Sequence, residues 1–562
     1  MPDYKYHHVR TDSEQPFLDD YKSRKSESDL DSPLSYHHRR SSVSSPSLTK
    51  RRRWLFAACA LLSVASITAL ALLFILTNRE PPPSVVEESE DLLKSNASQC
   101  AQPSQSETEV IPPWDKRNVL VGAPTRSFRD NLRSDHQYIT SWFSAGWTND
   151  VMTAANLIYL GLITDRTPIV PPFTPSHIGG DVPPIPFGEV FNVSRLAQAL
   201  GTPVLEWHDV KEVRNNSELG WSLPFVPTQS GPEGVEADGE IEGEQRPPQN
   251  SWEAQQDVVG CWEVWESVQS DEHFARRSAV PQWLGLDISY TQLPPSIKLV
   301  PDYVHDQHTT FWALAQYSYP EGRADALARI PDGGAELTHP AQASGETLDP
   351  DEQMMCLDYL YYVAAHTPFE FEKDFSPAWR EVATHMHWTD RLQEITNGYI
   401  RKAFELPEGA DIPPYIAIHV RHGDFRVYCH PPPESALDPS CFAPLSAIRT
   451  RVFEIQAELL AARGVSVPAS HVLMTSDEGD AEWWAEVAAM GWRWIDHGKE
   501  GTAGRLGRWY PVLVDAVVQS GGAGFVGTDR STMSLMARRR AEDWQGSVTR
   551  TVRWGSLGAD EH

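Results

Sequence analysis

Two Rossmann-like, doubly wound α/β domains behind one N-terminal transmembrane helix are the architecture this sequence predicts. Three observations lead there. From residue 415 onward, short apolar runs of β-branched residues alternate with stretches of helical period, the pattern of a parallel sheet wrapped by helices. A strand–turn–helix–strand order near residue 140 marks a second unit of the same kind. Residues 54–76 carry no charge and are dominated by Leu, Ala, Ile and Phe. At about 1.5 Å per residue they suffice to cross a hydrocarbon core of roughly 30 Å.

The elements follow in chain order. Residues 1–53, rich in Ser, His, Asp and Arg, are expected to form a disordered cytosolic tail. Lys50, Arg51, Arg52 and Arg53 directly precede the apolar run, and an acidic stretch follows it. The basic excess belongs on the cytoplasmic side, so the head is expected in the lumen. The run is too long, and begins too far into the chain, for a cleaved signal peptide. Residues 77–115, opened by Pro81, Pro82 and Pro83, read as a flexible stem.

The head divides into residues 116–410 and 411–562. In the first part, 118–121 and 138–143 are expected strands. A turn at 146–149 leads into a helix over 150–164, with Val151, Ala154, Ala155, Ile158 and Leu162 on one face, and 167–171 is the next strand. Segments near 229–249 and 321–351 are polar insertions of loop character. Residues 351–406 read as helical. In the second part strands are expected at 415–420, 471–475, 492–495 and 524–527. Helices are expected at 444–463, 480–490, 508–520 and 531–541.

The net charge of −29 argues against a nucleic-acid partner, which needs a basic face, but leaves room for a local basic pocket. The 20 tryptophans are mostly accounted for by core and interface packing. A luminal head permits disulfides. Cys429 and Cys441 bracket a Pro-rich loop and are expected to pair. Cys261 with Cys356 is a further pairing, though spacing alone leaves connectivity open. Asn96, Asn192 and Asn215 head glycosylation sequons.

The chemistry concentrates where strands end. Tyr415–Val420 stops at Arg421, His422, Gly423 and Asp424. Ligands of open α/β sheets bind beyond the carboxyl ends of strands, and an arginine there suits phosphate. Thr475, Ser476, Asp477 and Glu478 end a second strand. Phe525–Thr528 ends a third, where Ser531 and Thr532 open a helix whose free N–H groups favour an anion; Ser531 equally reads as a simple N-cap. Asp515 leans toward the core and needs a partner, which the N–H edge of a guanine would supply. His385 and His387 are two apart and face different ways, and Asp349-Pro-Asp351 lacks a preceding strand. No metal site is expected.

His419-Val-Arg-His-Gly-Asp-Phe425, Thr475-Ser-Asp-Glu478 and Phe525-Val-Gly-Thr528 with Ser531-Thr532 resemble the three motifs of the GDP-fucose protein O-fucosyltransferases. More distantly they resemble the α1,6-fucosyltransferases. Gly146-Trp-Thr-Asn149, the following helix and Pro168-Ile-Val-Pro-Pro-Phe173 are similar to a fourth feature of that family. The likeness runs from about 118 to 541. It implies a GT-B type fold and an inverting, metal-independent fucosyl transfer from GDP-fucose to a protein or glycan hydroxyl. GDP-fucose would be the donor substrate, with no cofactor. Arg421 would stabilise the leaving β-phosphate, His419 and Asp515 would bind guanine or ribose, and Ser531 with Thr532 the diphosphate. Asn149 would sit near the acceptor or the fucose, and Asp424 would brace the Arg421 loop. Some family members carry a glutamate base in the Gly-x-x-Asn turn; this chain has none, and Asp150 is the nearest carboxylate. With anchor and stem, the protein is expected to be a single-pass type II membrane protein of the Golgi or endoplasmic reticulum.

Two other readings use the same residues. Arg421-His-Gly423 resembles the signature of histidine phosphatases, with His422 as nucleophile. The missing glutamate also fits a membrane-anchored sugar or nucleotide binder without catalysis.

Overall fold

Buried apolar strands organise two parallel sheets in the computed structural model. It describes residues 111–179, 182–212, 257–264, 278–299, 308–328, 338–423, 425–426, 441–555 and 559–560. The chain divides into Met1–Glu109 and Val110–His562, and the first unit lies outside the described residues. So do the expected tail, membrane span, most of the stem, the 229–249 insertion and Asp424. Among the described residues, no helix is long and apolar enough to cross a membrane.

The first sheet contains β1 (Tyr138–Ser141), β2 (Thr167–Val170), β3 (Leu205–Glu206), β4 (Asp257–Glu263) and β5 (Leu286–Gln292). A small separate pair is formed by β6 (Thr309–Thr310) and β9 (Val363–Ala364), while β7 (Thr338–His339) and β8 (Met354–Leu357) return to the first sheet. Its order is β3-β2-β1-β8-β4-β5-β7; only β7 runs antiparallel to its neighbour. The second sheet has β10 (Ile416–Val420), β11 (Val472–Ser476), β12 (Arg493–Trp494), β13 (Gly524–Thr528) and β14 (Val548–Val552). Its order is β12-β11-β10-β13-β14, all parallel. Two doubly wound α/β sheets are therefore present.

Eight helices matter here: α1 (Trp147–Ile163), α2 (Val193–Leu200), α3 (Pro320–Ala328), α4 (Asp390–Ala403), α5 (Leu445–Arg463), α6 (Ala481–Ala489), α7 (Tyr510–Gly521) and α8 (Thr532–Arg540). Helix α1 is buried almost all round, from Trp147 to Gly161, so it lies inside the head. Thr389 caps α4 by accepting the N–H of Leu392, and Asn192 caps α2 through the N–H of Arg195, the usual use of these side chains.

Several expectations need correction. Residues 116–118 form a 3-10 turn, and only an isolated bridge joins Leu120 to Leu132. The stretch read as helical from 351 contains β8, a strand between β1 and β4. Met354, Met355, Cys356 and Leu357 are all buried; a strand covered on both faces shows no alternation, and periodicity cannot separate it from a helix. The 321–351 insertion holds most of α3 and strand β7. Helix α4, placed before the boundary at 410, packs Tyr399 and Ile400 with Tyr415, Val514 and Val518, and so belongs with the second sheet. Strands β3, β4, β5, β6, β7, β9 and β14 have no counterpart in the sequence reading.

The two sheets share one core. Trp509, Tyr510, Leu513 and Met536 pack in the same cluster as Phe173, Phe187, Val151 and Trp388. Cys261 and Cys356 form a disulfide between β4 and β8, 95 residues apart in sequence. Cys441 is also disulfide-bonded; Cys429, its expected partner, lies outside the described residues.

Cross-linking positions so distant in sequence removes chain entropy from the unfolded state, by roughly 4–5 kcal/mol in that account. Replacing Cys261 and Cys356 together by alanine is expected to cost about 2–5 kcal/mol. The urea midpoint of the double variant, compared with wild type, measures it.

Candidate active site

Strand order fixes where a ligand can sit. From β10 the chain moves outward through β11 to β12, then returns to β13 on the other side of β10. The carboxyl ends of β10 and β13 thus flank a switch point, the crevice where open α/β sheets bind ligands. Arg421 directly follows β10. The turn 529–531 directly follows β13 and opens α8.

The crevice floor is a chain of hydrogen bonds. The Arg421 N–H donates to the Thr528 hydroxyl at 3.1 Å, and that hydroxyl donates to the His419 carbonyl at 2.9 Å. Thr528 N–H donates to Ser534 Oγ, and His419 Nδ1 lies 2.7 Å from the same oxygen. Ser531 caps α8, its hydroxyl accepting the Ser534 N–H at 3.3 Å. His419 is buried, which pulls its imidazole down to about 3; it is neutral and holds the floor together.

The Arg421 guanidinium is held from the neighbouring strand. β10 and β11 pair His419 with Thr475 and Val420 with Ser476; one step further, Arg421 meets Asp477. Arg421 Nη1 lies 3.0 Å from Asp477 Oδ2, and Asp477 Oδ1 accepts the His422 N–H at 2.8 Å. The approach of Asp477 leaves no room for a Cβ on Gly423. The guanidinium also stands 5.9 Å from the Phe425 ring centroid. About a third of it is exposed. Asp477 braces Arg421; Asp424, expected to do so, lies outside the described residues.

His422 does not present itself to a substrate. It is buried, with Nδ1 2.8 Å from Glu478 Oε2 and its ring packed against Phe442 and Trp483. Burial raises Glu478, but the bonds from His422, the Asp480 N–H and Arg426 outweigh it and keep its carboxyl below the usual range. The group acts as a second brace, which removes the phosphatase reading.

The opposite wall comes from the first sheet. Gly146 caps α1, and Thr148 Oγ1 meets Thr532 Oγ1 at 2.7 Å. The N-terminal ends of α1 and α8 therefore face each other. Asn149 sits in the first turn of α1, buried at this contact.

Asp150 is fully enclosed. Oδ1 accepts the N–H groups of Ser144 and Ala145 at 3.2 and 3.0 Å, and Oδ2 accepts the Thr174 hydroxyl at 2.8 Å. Burial pushes its carboxyl up to about 7 against those hydrogen bonds. Asp150 cannot reach an acceptor hydroxyl; it ties the 144–146 turn to the loop after β2.

Asp515 finds its partner within the protein. Its Oδ1 lies 3.1 Å from His497 Nε2, and His497 Nδ1 is 3.0 Å from Thr502 Oγ1, which meets the Tyr399 hydroxyl at 2.8 Å. Asp515 keeps 21% of its side chain exposed, so its second oxygen is open to a ligand. The sequence reading placed Asp477 at a strand end without pairing it to Arg421 and gave His497 no role beside Asp515; the equal offsets of Arg421 and Asp477 beyond paired strands were the available signal. Among the described residues, no group of three or more His, Cys, Asp or Glu is placed to hold a metal ion.

The raised carboxyl of Asp150 has a signed consequence. As pH rises past about 4 the unfolded chain loses this proton first, so the slope of stability with pH is negative until the folded group titrates near 7. The shift corresponds to at most about 4 kcal/mol. Asp150→Asn keeps the shape and removes the proton. Urea midpoints taken from pH 4 to 8 are expected to fall in wild type relative to the variant, and parallel profiles would contradict this account.

No family model and no curated protein matches the chain. Among solved structures, the apo form of POFUT1 is similar over 75% of this chain and 99% of its own, at 12% identity and a TM-score of 0.41. POFUT1 in complex with GDP-fucose covers the same shares at 12% identity and 0.40. The Se-Met fucosyltransferase NodZ from Bradyrhizobium covers 76% of this chain and 98% of its own, at 14% identity and 0.32. The chain is similar to these fucosyltransferases, at a depth that does not by itself carry their activity across to it.

Proposed function

We propose that this protein is a glycosyltransferase that moves fucose from GDP-fucose to a hydroxyl of a protein or glycan. The transfer inverts the sugar carbon and requires no metal. The observation that carries this reading is Arg421, fixed by Asp477 at the switch point between β10 and β13, beside the start of α8. A guanidinium, the first-turn N–H groups of α8 and the facing end of α1 form a site suited to the anionic diphosphate.

The base is read by Asp515, whose second oxygen accepts from the N–H edge of guanine while the first is held by His497. His419, anchored on Ser534, contributes its other ring nitrogen to the nucleotide. In the transfer, the acceptor oxygen attacks the sugar carbon as the bond to the β-phosphate breaks. Arg421 stabilises the charge that accumulates on the departing phosphate, the kind of contact worth about 3–4 kcal/mol when removed. Asn149, at the start of α1, orients the sugar or the acceptor.

The head belongs in an oxidising compartment. The buried Cys261–Cys356 bond supports a luminal head behind the apolar 54–76 span, in a type II membrane protein of the Golgi or endoplasmic reticulum.

GDP is expected to raise the melting temperature of the full-length protein where UDP and ADP leave it unchanged. Arg421→Ala should abolish that shift while keeping the ligand-free melting temperature. Release of GDP from GDP-fucose, unaffected by a chelator, distinguishes a transferase from a binding protein. A GDP-induced shift that survives Arg421→Ala would remove the proposal.

A further inference from the structure

We infer that His177 is the general base that takes the proton of the acceptor hydroxyl; this rests on the transfer reaction proposed above. An oxygen nucleophile attacking an inverting centre needs a proton acceptor beside it. Asp150, the carboxylate nearest in sequence to the turn, is sealed beneath it. The group has to come from another element.

His177 comes from the loop that leaves the carboxyl end of β2, and it is exposed. Gly146 ends the turn before α1 and has no side chain; a Cβ built there would fall 2.7 Å from His177 Cδ2 and 2.9 Å from its Nε2. The imidazole edge therefore occupies the place a side chain of this turn would take. Two residues further on, Thr148 meets Thr532 across the crevice. His177 thus stands against the start of α1, two residues from the Thr148–Thr532 contact.

The loop is built to hold it. Thr174 donates to Asp150 Oδ2 and lies 2.9 Å from Ser176 Oγ, while the Ile178 N–H donates to the Pro175 carbonyl at 2.9 Å. Beyond His177, the Ile178 carbonyl accepts from Arg508 Nη2 at 2.9 Å. The same buried carboxylate that fixes the 144–146 turn fixes the segment carrying the imidazole. Asp150 reaches this segment through Thr174, and Arg508 reaches it through the Ile178 carbonyl.

In the step, the acceptor O–H bond breaks and its proton passes to the imidazole. The oxygen electron pair forms the new bond to the sugar carbon. The bond from that carbon to the β-phosphate oxygen breaks, and its electrons leave with GDP. The imidazolium then releases the proton to water.

Water serves as acceptor in the test, read as GDP release from GDP-fucose by the full-length protein. His177→Ala should lower kcat by about 10²–10⁴-fold with GDP affinity unchanged. Added imidazole should restore part of the rate to His177→Ala but none to Arg421→Ala. Gly146→Ala, whose Cβ displaces only the end of a movable side chain, should keep the melting temperature and lower kcat without changing KM. If wild type turns over GDP-fucose and His177→Ala matches it, the base assignment falls alone. If wild type binds no GDP and releases none, the transfer reaction falls and the base with it.

Discussion

A parallel strand pair in fixed register is the constraint from which the site follows. With Val420 beside Ser476, the next residues out are Arg421 and Asp477, and both leave the sheet at the same edge. A free arginine side chain loses up to about 2 kcal/mol of rotamer entropy when it is immobilised. Here the ion pair with Asp477 and the flanking Phe425 ring hold it before any ligand arrives. Gly423 is required because the same carboxylate closes over it. Three unrelated-looking residues therefore express one geometric condition, that the guanidinium be in place at the switch point.

The crevice keeps its shape because the two sheets are not separate bodies joined by a linker. Their interface is apolar, and such interfaces resist the relative motion that polar ones allow. Arg540 adds a polar component to it. Burial pulls this guanidinium down to about 9, still charged at neutral pH, and it lies 4.3 Å from the Trp388 ring centroid, with Phe191 and Trp544 nearby. Placed in the last turn of α8, it opposes the negative end of that helix while its faces satisfy the aromatic cage. Arg540 is thus a packing device at the far end of the helix whose beginning borders the crevice.

Four strands of the second sheet were legible because each is followed by a helix of clear period, whereas β14, with no helix after it, was not. The first sheet was legible only in part. β1, α1 and β2 showed their order, whereas β8 is buried on both sides and hides inside a run that also suits a helix. Site residues divide in the same way. Arg421, Ser531 and Thr532 could be named because their place depends on local sequence at a strand end or helix start. Asp150 was misjudged because an acidic residue in a first helical turn ordinarily faces water and the helix dipole; here the loop after β2 folds over it. Asp477, His497 and His177 depend on which strands become neighbours, and no single segment carries that information.

Thr148 and Thr532 put the beginnings of two helices face to face. Each helix start carries about half a positive charge, so this approach is electrostatically unfavourable and is held by the common core and by one hydroxyl–hydroxyl hydrogen bond. Arg421 adds a full charge close by, only partly balanced by Asp477. The crevice is therefore a region where positive potential has been gathered at a cost to the fold. An anion entering it removes that repulsion as well as gaining its own hydrogen bonds. Charge that moves outward onto a phosphate during bond cleavage meets the same field already oriented, with no reorganisation left to make. The gathered positive potential that is costly to the fold is thus the feature that, under the proposed transfer, would favour departure of a diphosphate over its mere binding.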